Sequence, residues 1–447
     1  MSNSGTTGRI FLAVACLVAG TAFLQSACEA WENRDEEVRF VVGVGTHFAQ
    51  KKHPVEESVE LMRRSGVTAL RDDAPWSAVE RERDILKIPE EWDRYIDEAH
   101  AAGIAPLLIF DYGNRLYDDG GKPRSPEAVR AFARYAAFVA GHFQGRVGRY
   151  EVWNEWEGHA GGAEGGTLDE YVALAKEVCK EVEATVPEAE ILVGGFSSRA
   201  VKDGWIEELV RRGMLDHADG LSLHSYNYWE KERKPEDWAE WMASLASELR
   251  EANGGEPVPL YVTEMGWPSH RGPQGVSPEQ QARYLARLFL LARTVPGLQG
   301  LWWYDFQNDG WNEDYREENF GVVFHDLAPK PAYFALRAIA RAVARARFLG
   351  RIPSGEESFW GLRFGDEDGE EAWALWCSEE DCLCRVVLES EAAPPLEIGE
   401  TGWETVPVEW REDGEESLPR FSVTVGEMPW IVKGDLSRVT ILSDVNP

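Results

Sequence analysis

Apolar and polar positions alternate along the chain in two rhythms, which predict a repeating order of elements between residues 40 and 345. Short apolar runs are separated by longer segments in which apolar residues recur every three to four positions, as a helix with one buried face requires. The short runs predict eight strands, at 40–44, 69–71, 105–110, 150–153, 191–195, 220–223, 260–263 and 301–304.

The starts of several predicted helices carry capping residues. Thr167 with Glu170, and Ser277 with Gln280, fit the capping-box pattern, and Pro126 stands where a first-turn proline is tolerated. Eight strand-then-helix units predict a (β/α)8 barrel over residues 31–345, since an open doubly wound sheet usually has about five or six strands. No Gly-x-Gly-x-x-Gly segment follows the first strand and no phosphate-binding loop is present, so no cofactor is predicted.

The pattern changes after the predicted helix at 332–344. Residues 346–447 contain short alternating runs separated by Gly, Pro and acidic turns, which is typical of a small β-sandwich. The runs lie at 360–364, 372–376, 385–388, 405–410, 420–425 and 430–432, and residues before 40 are candidates for an additional strand. Such a domain either packs against the barrel or binds sugar, and the first role is the more common one.

Two strings give the barrel its candidate chemistry. Residues 149–156 read Arg-Tyr-Glu-Val-Trp-Asn-Glu-Trp, and residues 259–267 read Pro-Leu-Tyr-Val-Thr-Glu-Met-Gly-Trp. Each is a strand that ends in a glutamate with tryptophan nearby, which places Glu155 and Glu264 at the carboxyl ends of strands four and seven. Chemistry in such barrels lies at these ends. Paired carboxyl groups among aromatic rings suit the cleavage of a glycosidic bond.

Charge and the first 30 residues limit the partners and the location. The chain has 46 basic and 78 acidic residues, a net charge of −32, which argues against nucleic acid and anionic membrane surfaces as partners. Arg9 precedes an apolar stretch at 10–24, which fits a signal peptide better than a membrane span. We therefore expect residues 1–30 to direct export to the periplasm or the outside. Cleavage after Ala30, lipid attachment at Cys28 and an uncleaved N-terminal anchor are the alternatives.

Three cysteines and one acidic loop are the candidates for metal sites in this sequence. Cys377, Cys382 and Cys384 lie close together, and one disulfide among them suits an oxidising compartment. A metal is not expected there, because no histidine or fourth ligand is near. The loop at 309–314 lacks the spacing of a calcium loop and reads as an acidic turn. No metal site is predicted.

The residues at the strand ends resemble those of clan A of the retaining glycoside hydrolases. The matching positions are Asn154 and Glu155 after strand four, Glu264 after strand seven, Arg71 after strand two, His224 and Tyr226 after strand six, and Trp303 on strand eight. The exported barrel-plus-sandwich layout and the Trp-Asn-Glu-Trp string are most similar to family 39, which includes β-xylosidases, α-L-iduronidases and bacterial exopolysaccharide-cleaving enzymes. Neighbouring clan A families such as family 5 are the alternative assignment.

The resemblance implies a role for each matching residue. Glu155 would be the general acid and base, shielded by Trp153 and Trp156, and Glu264 the nucleophile, with the two carboxyl groups about 5–5.5 Å apart. Arg71 would hold Glu264 ionised, unless it pairs with the neighbouring Asp72 or Asp73.

The remaining candidates would bind the sugar. Asn154 would hydrogen-bond the 2-hydroxyl of the sugar, and Tyr226 would donate a hydrogen bond from its hydroxyl to Glu264. His224 and His47 would contact the sugar at the floor or rim of the cleft. Only one of the adjacent residues Trp302 and Trp303 can face the lumen, and Trp303 is predicted to be that one and to stack beneath the sugar ring. Trp156 and Trp267 are further aromatic contacts. Many clan members have a histidine near the end of strand three, where this chain has Asp111, so Asp111 either contacts a hydroxyl or caps the next turn.

The sequence thus predicts an exported, monomeric retaining glycosidase that acts within the chains of a bacterial polysaccharide and needs no cofactor. The alternatives are an exo-acting β-xylosidase-like enzyme, a transglycosylase that uses the same residues, and a carbohydrate-binding or assembly protein on an inactive barrel.

Overall fold

A computed structural model describes residues 39–159, 164–354, 356–365, 369, 371–380, 382–389, 397–400, 406–407, 420–433 and 438–444. The predicted signal peptide or anchor and any strand before residue 39 lie outside these residues. Within the described part of the chain, no helix has the length and apolar character needed to cross a membrane. The fold below belongs to the unit Val41–Pro447.

Eight parallel strands close into a barrel, as predicted. Around the barrel they stand in the order β1-β10-β9-β8-β7-β6-β5-β2, and β3 and β4 form a separate hairpin after β2. The strands of this part of the chain are Val41–Gly45 (β1), Ala69–Pro75 (β2), Glu80–Glu82 (β3), Ile85–Leu86 (β4), Ala105–Asp111 (β5), Arg149–Val152 (β6), Glu190–Phe196 (β7), Gly220–His224 (β8), Leu260–Met265 (β9) and Leu298–Trp303 (β10).

Amphipathic helices connect the strands and cover the barrel. They are Val55–Ser65 (α1), Trp76–Val79 (α2), Glu90–Ala101 (α3), Pro126–His142 (α4), Leu168–Thr185 (α5), Ser198–Lys202 (α6), Trp205–Arg211 (α7), Pro235–Ala252 (α8), Pro278–Ala292 (α9) and Pro331–Arg345 (α10). The capping box of Thr167 and Glu170 forms at the start of α5. At the start of α9, Ser277 Oγ accepts a hydrogen bond from the Gln280 amide at 3.1 Å. These caps satisfy amide groups that the first turn of a helix leaves unpaired.

Strand β2 continues four residues beyond the predicted end at residue 71, although Asp72 and Asp73 interrupt its apolar pattern. The Asp72 carboxylate accepts hydrogen bonds from Thr46 Oγ1 at 2.6 Å, from the Phe48 amide at 2.7 Å and from the Ala49 amide at 3.2 Å. A buried carboxylate with these partners is compatible with a barrel strand. The loop after β1 is thereby fixed to β2.

The barrel interior is filled by apolar side chains, and Trp302 is the largest of them. Its indole lies where side chains of Gly43 and Gly300 would stand, since a Cβ atom at Gly43 would come within 2.2 Å of the ring. Trp302 therefore faces the lumen and Trp303 faces the surrounding layer. The prediction that Trp303 faces the lumen is wrong, because strand alternation allows only one of two adjacent residues to point inward.

The C-terminal region forms two antiparallel sheets that enclose a second hydrophobic core. One sheet has the order β11-β12-β13-β18-β15-β16 and the other β17-β14-β19. The strands are Arg347–Arg351 (β11), Phe359–Gly365 (β12), Glu371–Cys377 (β13), Cys384–Glu389 (β14), Glu397–Glu400 (β15), Val406–Pro407 (β16), Arg420–Val425 (β17), Trp430–Lys433 (β18) and Arg438–Asp444 (β19).

The two-sheet arrangement confirms the predicted sandwich, to which the structure adds β11, β15 and β19. Of the strand predicted at 405–410, only residues 406–407 are described. Cys377, Cys382 and Cys384 converge in this domain with their sulfur atoms within 4.8 Å of one another. Clustering of the three was predicted, but a disulfide among them stays a prediction.

A buried ion pair joins the barrel to the sandwich. Arg287 on α9 is fully buried and donates to Glu236 on α8 through Nε at 2.8 Å. Trp376 on β13 donates its indole N–H to the same Glu236 carboxylate at 2.6 Å. The sandwich thus contributes a hydrogen bond to a charge pair that the barrel helices form, so we expect the two domains to unfold together.

We predict that Arg287→Met lowers the free energy of unfolding by about 3 kcal/mol or more, because it leaves the Glu236 carboxylate buried without its counter-charge. Urea denaturation followed by tryptophan fluorescence measures the change. The control is Arg211→Met, which removes an exposed partner of Glu207 on α7. Equal shifts of the denaturation midpoint in the two variants would contradict the structural importance of the buried pair.

Candidate active site

A cleft of about 480 Å³ opens at the carboxyl ends of the barrel strands. Its wall includes six of the predicted site residues, which come from different strands and loops: His47, Arg71, Asn154, Glu155, Tyr226 and Glu264. His224 lies directly beneath them and is fully buried. The closed barrel brings together residues that are up to 217 positions apart in the sequence (47 and 264).

Glu264, at the end of β9, is held by donors on several sides. Arg71 Nη1 donates to Oε1 at 2.6 Å, and the Tyr226 hydroxyl donates to Oε2 at 2.9 Å. Burial would raise the pKa of Glu264, but the charges of His224 and Arg71 and these two hydrogen bonds bring it below its ordinary value. The carboxylate is therefore ionised at neutral pH.

Arg71 is the centre of the polar network. Its guanidinium donates through Nε to Glu151 at 2.7 Å, through Nη1 to Glu264 and through Nη2 to Asn154 Oδ1 at 3.0 Å. The alternative pairing with Asp72 is not observed, because that carboxylate is bound by the loop after β1. Burial lowers the pKa of Arg71, but the Glu151 and Glu264 charges outweigh burial and keep it far above the neutral range.

Glu155 lies opposite Glu264, with His224 between them. His224 Nδ1 is 3.1 Å from Glu155 Oε1 and 3.6 Å from Glu264 Oε2, and one oxygen of each carboxyl group lies within 4.8 Å of the other. The side chain of Glu155 is 32% exposed and that of Glu264 is 13% exposed, so Glu155 is the one open to solvent. Two carboxyl groups this close leave no room for a water molecule between them.

The backbone around Glu155 adopts conformations that are uncommon for residues with side chains. Trp153 has φ 67° and Glu155 has φ 47°, both in the left-handed region. The Glu155 amide donates to the Gly195 carbonyl at 2.9 Å, which fixes the chain as it leaves β6. Such strain is common where a side chain must be aimed at a site. Here the chain leaves β6 with the Glu155 carboxyl on the cleft wall.

Four predicted contacts do not line the cleft. Trp156 is buried and donates its indole N–H to the Thr167 carbonyl at 2.9 Å, and buried Trp267 donates to the Arg233 carbonyl at 2.9 Å. Trp303 donates to the Phe320 carbonyl at 3.1 Å. These three rings support the loops behind the cleft, because each indole N–H is used by a loop carbonyl. Trp153 and Trp156 are both buried, and shielding of Glu155 by them stays a prediction.

Asp111 is the fourth. It is fully buried at the end of β5 beneath the cleft, where it lies beside Asp73. Burial and the Asp73 charge raise the pKa of Asp111 well above its ordinary value. A direct contact of Asp111 with a sugar is excluded by this position, and Asp73 takes its place on the wall.

His47 does line the cleft, and its charge is set by two aspartates. Its Nδ1 is 2.8 Å from Asp309 Oδ1 and 3.8 Å from Asp305 Oδ2. Burial lowers the pKa of His47, but the hydrogen bond to Asp309 and the two aspartate charges outweigh burial and raise the pKa to about 9. The imidazole is therefore cationic at neutral pH.

Several functional positions were missed from the sequence. Glu151 accepts hydrogen bonds from both Arg71 and Thr263 Oγ1, each at 2.7 Å, and its charge in the middle of an apolar strand was the available signal. Tyr304, two positions after the lumen-facing Trp302, supplies the aromatic wall that Trp303 was expected to provide. Loop residues completed the wall without any local pattern: Gln50, Tyr112, Tyr228, Trp229 and Arg316.

Together these features define a (β/α)8 barrel with two facing carboxyl groups at its carboxyl end and an antiparallel sandwich attached. The same fold is found in a family 39 glycoside hydrolase from the gut symbiont Bacteroides cellulosilyticus, with a TM-score of 0.73, 24% identity and coverage of 90% of this chain and 82% of that chain. The family 39 enzyme from Xanthomonas axonopodis pv. citri has a TM-score of 0.59 and 14% identity, with coverage of 88% of this chain and 93% of that chain. A β-xylosidase from Caulobacter crescentus has a TM-score of 0.59 and 12% identity, with coverage of 90% of this chain and 96% of that chain.

These structures confirm the predicted fold and its similarity to family 39. All three are less than 25% identical to this chain, so the likeness concerns the fold. No protein-family model matches the chain. No curated protein matches it either.

We predict that Arg71→Met destabilises the protein by about 3–5 kcal/mol at pH 7, because two buried carboxylates lose their counter-charge. In the wild type, the lowered pKa of Glu264 contributes stability above the unfolded pKa, and this is lost as the pH falls. In the variant, burial without the Arg71 charge is expected to raise the pKa of Glu264. The contribution of Glu264 to stability then changes sign, because a raised pKa costs stability above about pH 4. Urea unfolding should therefore show a gap between the proteins that narrows from pH 7 towards pH 4.

The control is Arg64→Met, which removes an exposed partner of Glu60. Its difference from the wild type should be small at every pH. A gap for Arg71→Met that stays constant between pH 4 and pH 7 would contradict the assigned electrostatic role.

Proposed function

We propose that the protein is a retaining glycoside hydrolase that uses Glu264 as nucleophile and Glu155 as general acid and base. The observation that carries the proposal is the approach of the two carboxyl groups to within 4.8 Å at the carboxyl end of the barrel. Carboxyl groups about 5–5.5 Å apart are typical of double displacement, whereas inverting enzymes need about 6.5–9.5 Å for an intervening water. The shared fold with family 39 enzymes supports the same reaction class.

In the first step, ionised Glu264 attacks the anomeric carbon and forms a glycosyl ester as the bond to the leaving oxygen breaks. Arg71 and Tyr226 keep its oxygens ionised and aimed before attack. As charge moves from Glu264 into the new ester bond, Arg71 retains Glu151 as a partner. The guanidinium is thus not left with unpaired charge in the buried lumen.

Glu155 donates its proton to the leaving oxygen in that step and removes a proton from water in the next. Its exposure to solvent suits exchange with incoming water. His224 contacts both carboxyl groups. Burial lowers the pKa of His224, but the Glu264 charge and the hydrogen bond to Glu155 give a net rise. The imidazole therefore lies between the two glutamates and acts in positioning them.

The cleft wall offers contacts for a sugar ring between the two glutamates. Asn154 is oriented on both sides, because Oδ1 accepts from Arg71 and Nδ2 donates to the Tyr112 hydroxyl at 3.3 Å. We propose that it bonds the 2-hydroxyl next to the reacting carbon, an interaction that strengthens in the transition state. His47 and Tyr304 would bound the same ring, and Trp229, which is 41% exposed, would stack on the next one.

The finer proposal is an exported enzyme that cuts within the chains of a bacterial polysaccharide. Export is supported by Arg9 and the apolar stretch that follows it. Action within chains is supported by the exposed aromatic residues Trp229 and Trp311, which belong to loops at the same end of the barrel as the cleft. Such rings can stack on sugar units beyond those at the reacting bond.

We predict that the wild type releases oligosaccharides from one member of a panel of bacterial exopolysaccharides and plant β-glycans, and that Glu264→Gln releases none. Loss of the nucleophile should reduce turnover by at least about 10³-fold while the fold is retained. Reducing-end and product analysis measures activity, and circular dichroism checks the fold. A 2-deoxy-2-fluoro glycoside of the active sugar should label Glu264, as mass spectrometry of peptides would show.

Oligomers as first products indicate action within the chain, single sugars indicate action at its end, and longer products indicate transglycosylation. Wild-type activity in Glu264→Gln would overturn the nucleophile assignment. Sugar binding that neither variant of the two glutamates alters, with no labelling by the fluorosugar, would instead indicate a binding protein.

We predict that the activity lost in Glu155→Gln depends on the leaving group of the substrate. The activity lost in Glu264→Gln should not depend on it. Without the acid, hydrolysis of the polysaccharide should fall by about 10²–10⁴-fold. Formation of the glycosyl ester from a dinitrophenyl glycoside of the same sugar should be nearly unchanged, because this leaving group needs no proton. A burst of dinitrophenol, measured by stopped flow, is the expected readout. Equal loss on both substrates would contradict the acid–base assignment.

A further inference from the structure

Two histidines and an aspartate meet beside the cleft, and one of them, His47, is part of its wall. His47 and His53 belong to the loop after β1, and Asp309 belongs to the loop after β10. Asp309 Oδ1 lies 2.8 Å from His47 Nδ1 and 3.4 Å from His53 Nε2. One atom of each of the three side chains lies within 4.8 Å of the other two.

His53 contributes an atom that the protein itself does not satisfy. Its side chain is 2% exposed, and its buried Nε2 has no hydrogen-bond partner, although Asp309 Oδ1 lies 3.4 Å away. Most buried polar atoms in proteins have a partner, so an unsatisfied nitrogen that faces a carboxylate requires an explanation. A bound cation between the two groups would supply it.

We propose that His47, His53 and Asp309 bind a divalent transition-metal ion, with Zn²⁺ as the reference ion, on the wall of the cleft. Two imidazole nitrogens and a carboxylate oxygen are a usual ligand set for zinc, with the fourth position open. Bonds of about 2.0–2.1 Å in a tetrahedral site place ligand atoms about 3.3 Å apart. The observed distances therefore require side-chain shifts of about 1 Å.

Neighbouring charges decide whether a cation is favoured at this place. Asp305 adds a second carboxylate 3.8 Å from His47 Nδ1, and it is fully enclosed. Lys52 contributes one opposing charge, but its ammonium contacts the other oxygen of Asp309, Oδ2, at 2.8 Å. Oδ1, which faces both histidines, is thus the oxygen available to the ion.

The site goes beyond the proposed glycosidase reaction, which needs no metal. His47 lines the cleft, so an ion bound to it would stand on the cleft wall with a coordination position open to a sugar oxygen. The ion would then contribute to binding of the substrate, and Glu155 and Glu264 would perform the chemistry. Metal binding can be measured in the absence of any sugar, so failure of this inference is distinguishable from failure of the reaction assignment.

The test uses the full chain after chelator treatment and dialysis. Titration with Zn²⁺ in a calorimeter should show one equivalent bound, and Co²⁺ should give the visible absorption of a tetrahedral site. His53→Gln and Asp309→Asn should each weaken Zn²⁺ binding by more than about 10²-fold, because each removes a ligand. Asp309→Asn changes no side-chain volume, so it tests the site even if His53→Gln folds poorly.

The matched control is His142→Gln, which alters an exposed histidine paired with Asp93 on the surface. It should bind Zn²⁺ as the wild type does. Absence of stoichiometric binding in the wild type would overturn the proposal. Binding that both ligand variants retain would also overturn it, since the ion would then be held elsewhere, for example at Cys377, Cys382 and Cys384.

Discussion

One guanidinium group inside the barrel determines what the rest of the cleft can do. Arg71 stands between Glu151 and Glu264, and it is the buried cation on which both carboxylates depend. Without it, Glu264 would lose a counter-charge and a hydrogen bond that hold its pKa below the ordinary value. Strands β2, β6 and β9 supply the three groups, so the barrel must close in register for the network to form. The chemistry and the closure of the fold therefore share one interaction.

The fold was largely predictable because its elements depend on local patterns. All eight barrel strands appeared where short apolar runs stood, and only their ends differed. The predicted strand ends were wrong where buried polar groups bond to partners distant in the sequence, as Asp72 does with the loop after β1. The prediction that Trp303 faces the lumen was wrong for another reason. Strand alternation shows that only one of two adjacent tryptophans points inward, and packing decides which one. Gly43 makes that choice by leaving space for Trp302.

The candidate site divides in the same way. Residues at strand ends could be located from the sequence, because barrel geometry places all strand ends at one face. Glu151 and Tyr304 were missed, although strand alternation points both of them inward. His53 carries no local signal, and Asp309, which begins a loop that reads as an acidic turn, meets His47 across 262 positions. Only the closed fold brings these loops together, so their shared chemistry becomes visible only in three dimensions.

The position of Trp302 determines how product leaves the cleft and how water enters it. Its indole, held against Gly43 and Gly300, seals the barrel axis below the cleft. The departing half of a cleaved chain and the water that replaces it must then use the same mouth. Departure has to precede or accompany hydration, and a sugar chain still bound at the mouth could take the place of water. The plug in the barrel thus makes the balance between hydrolysis and transfer depend on how firmly the mouth retains its product.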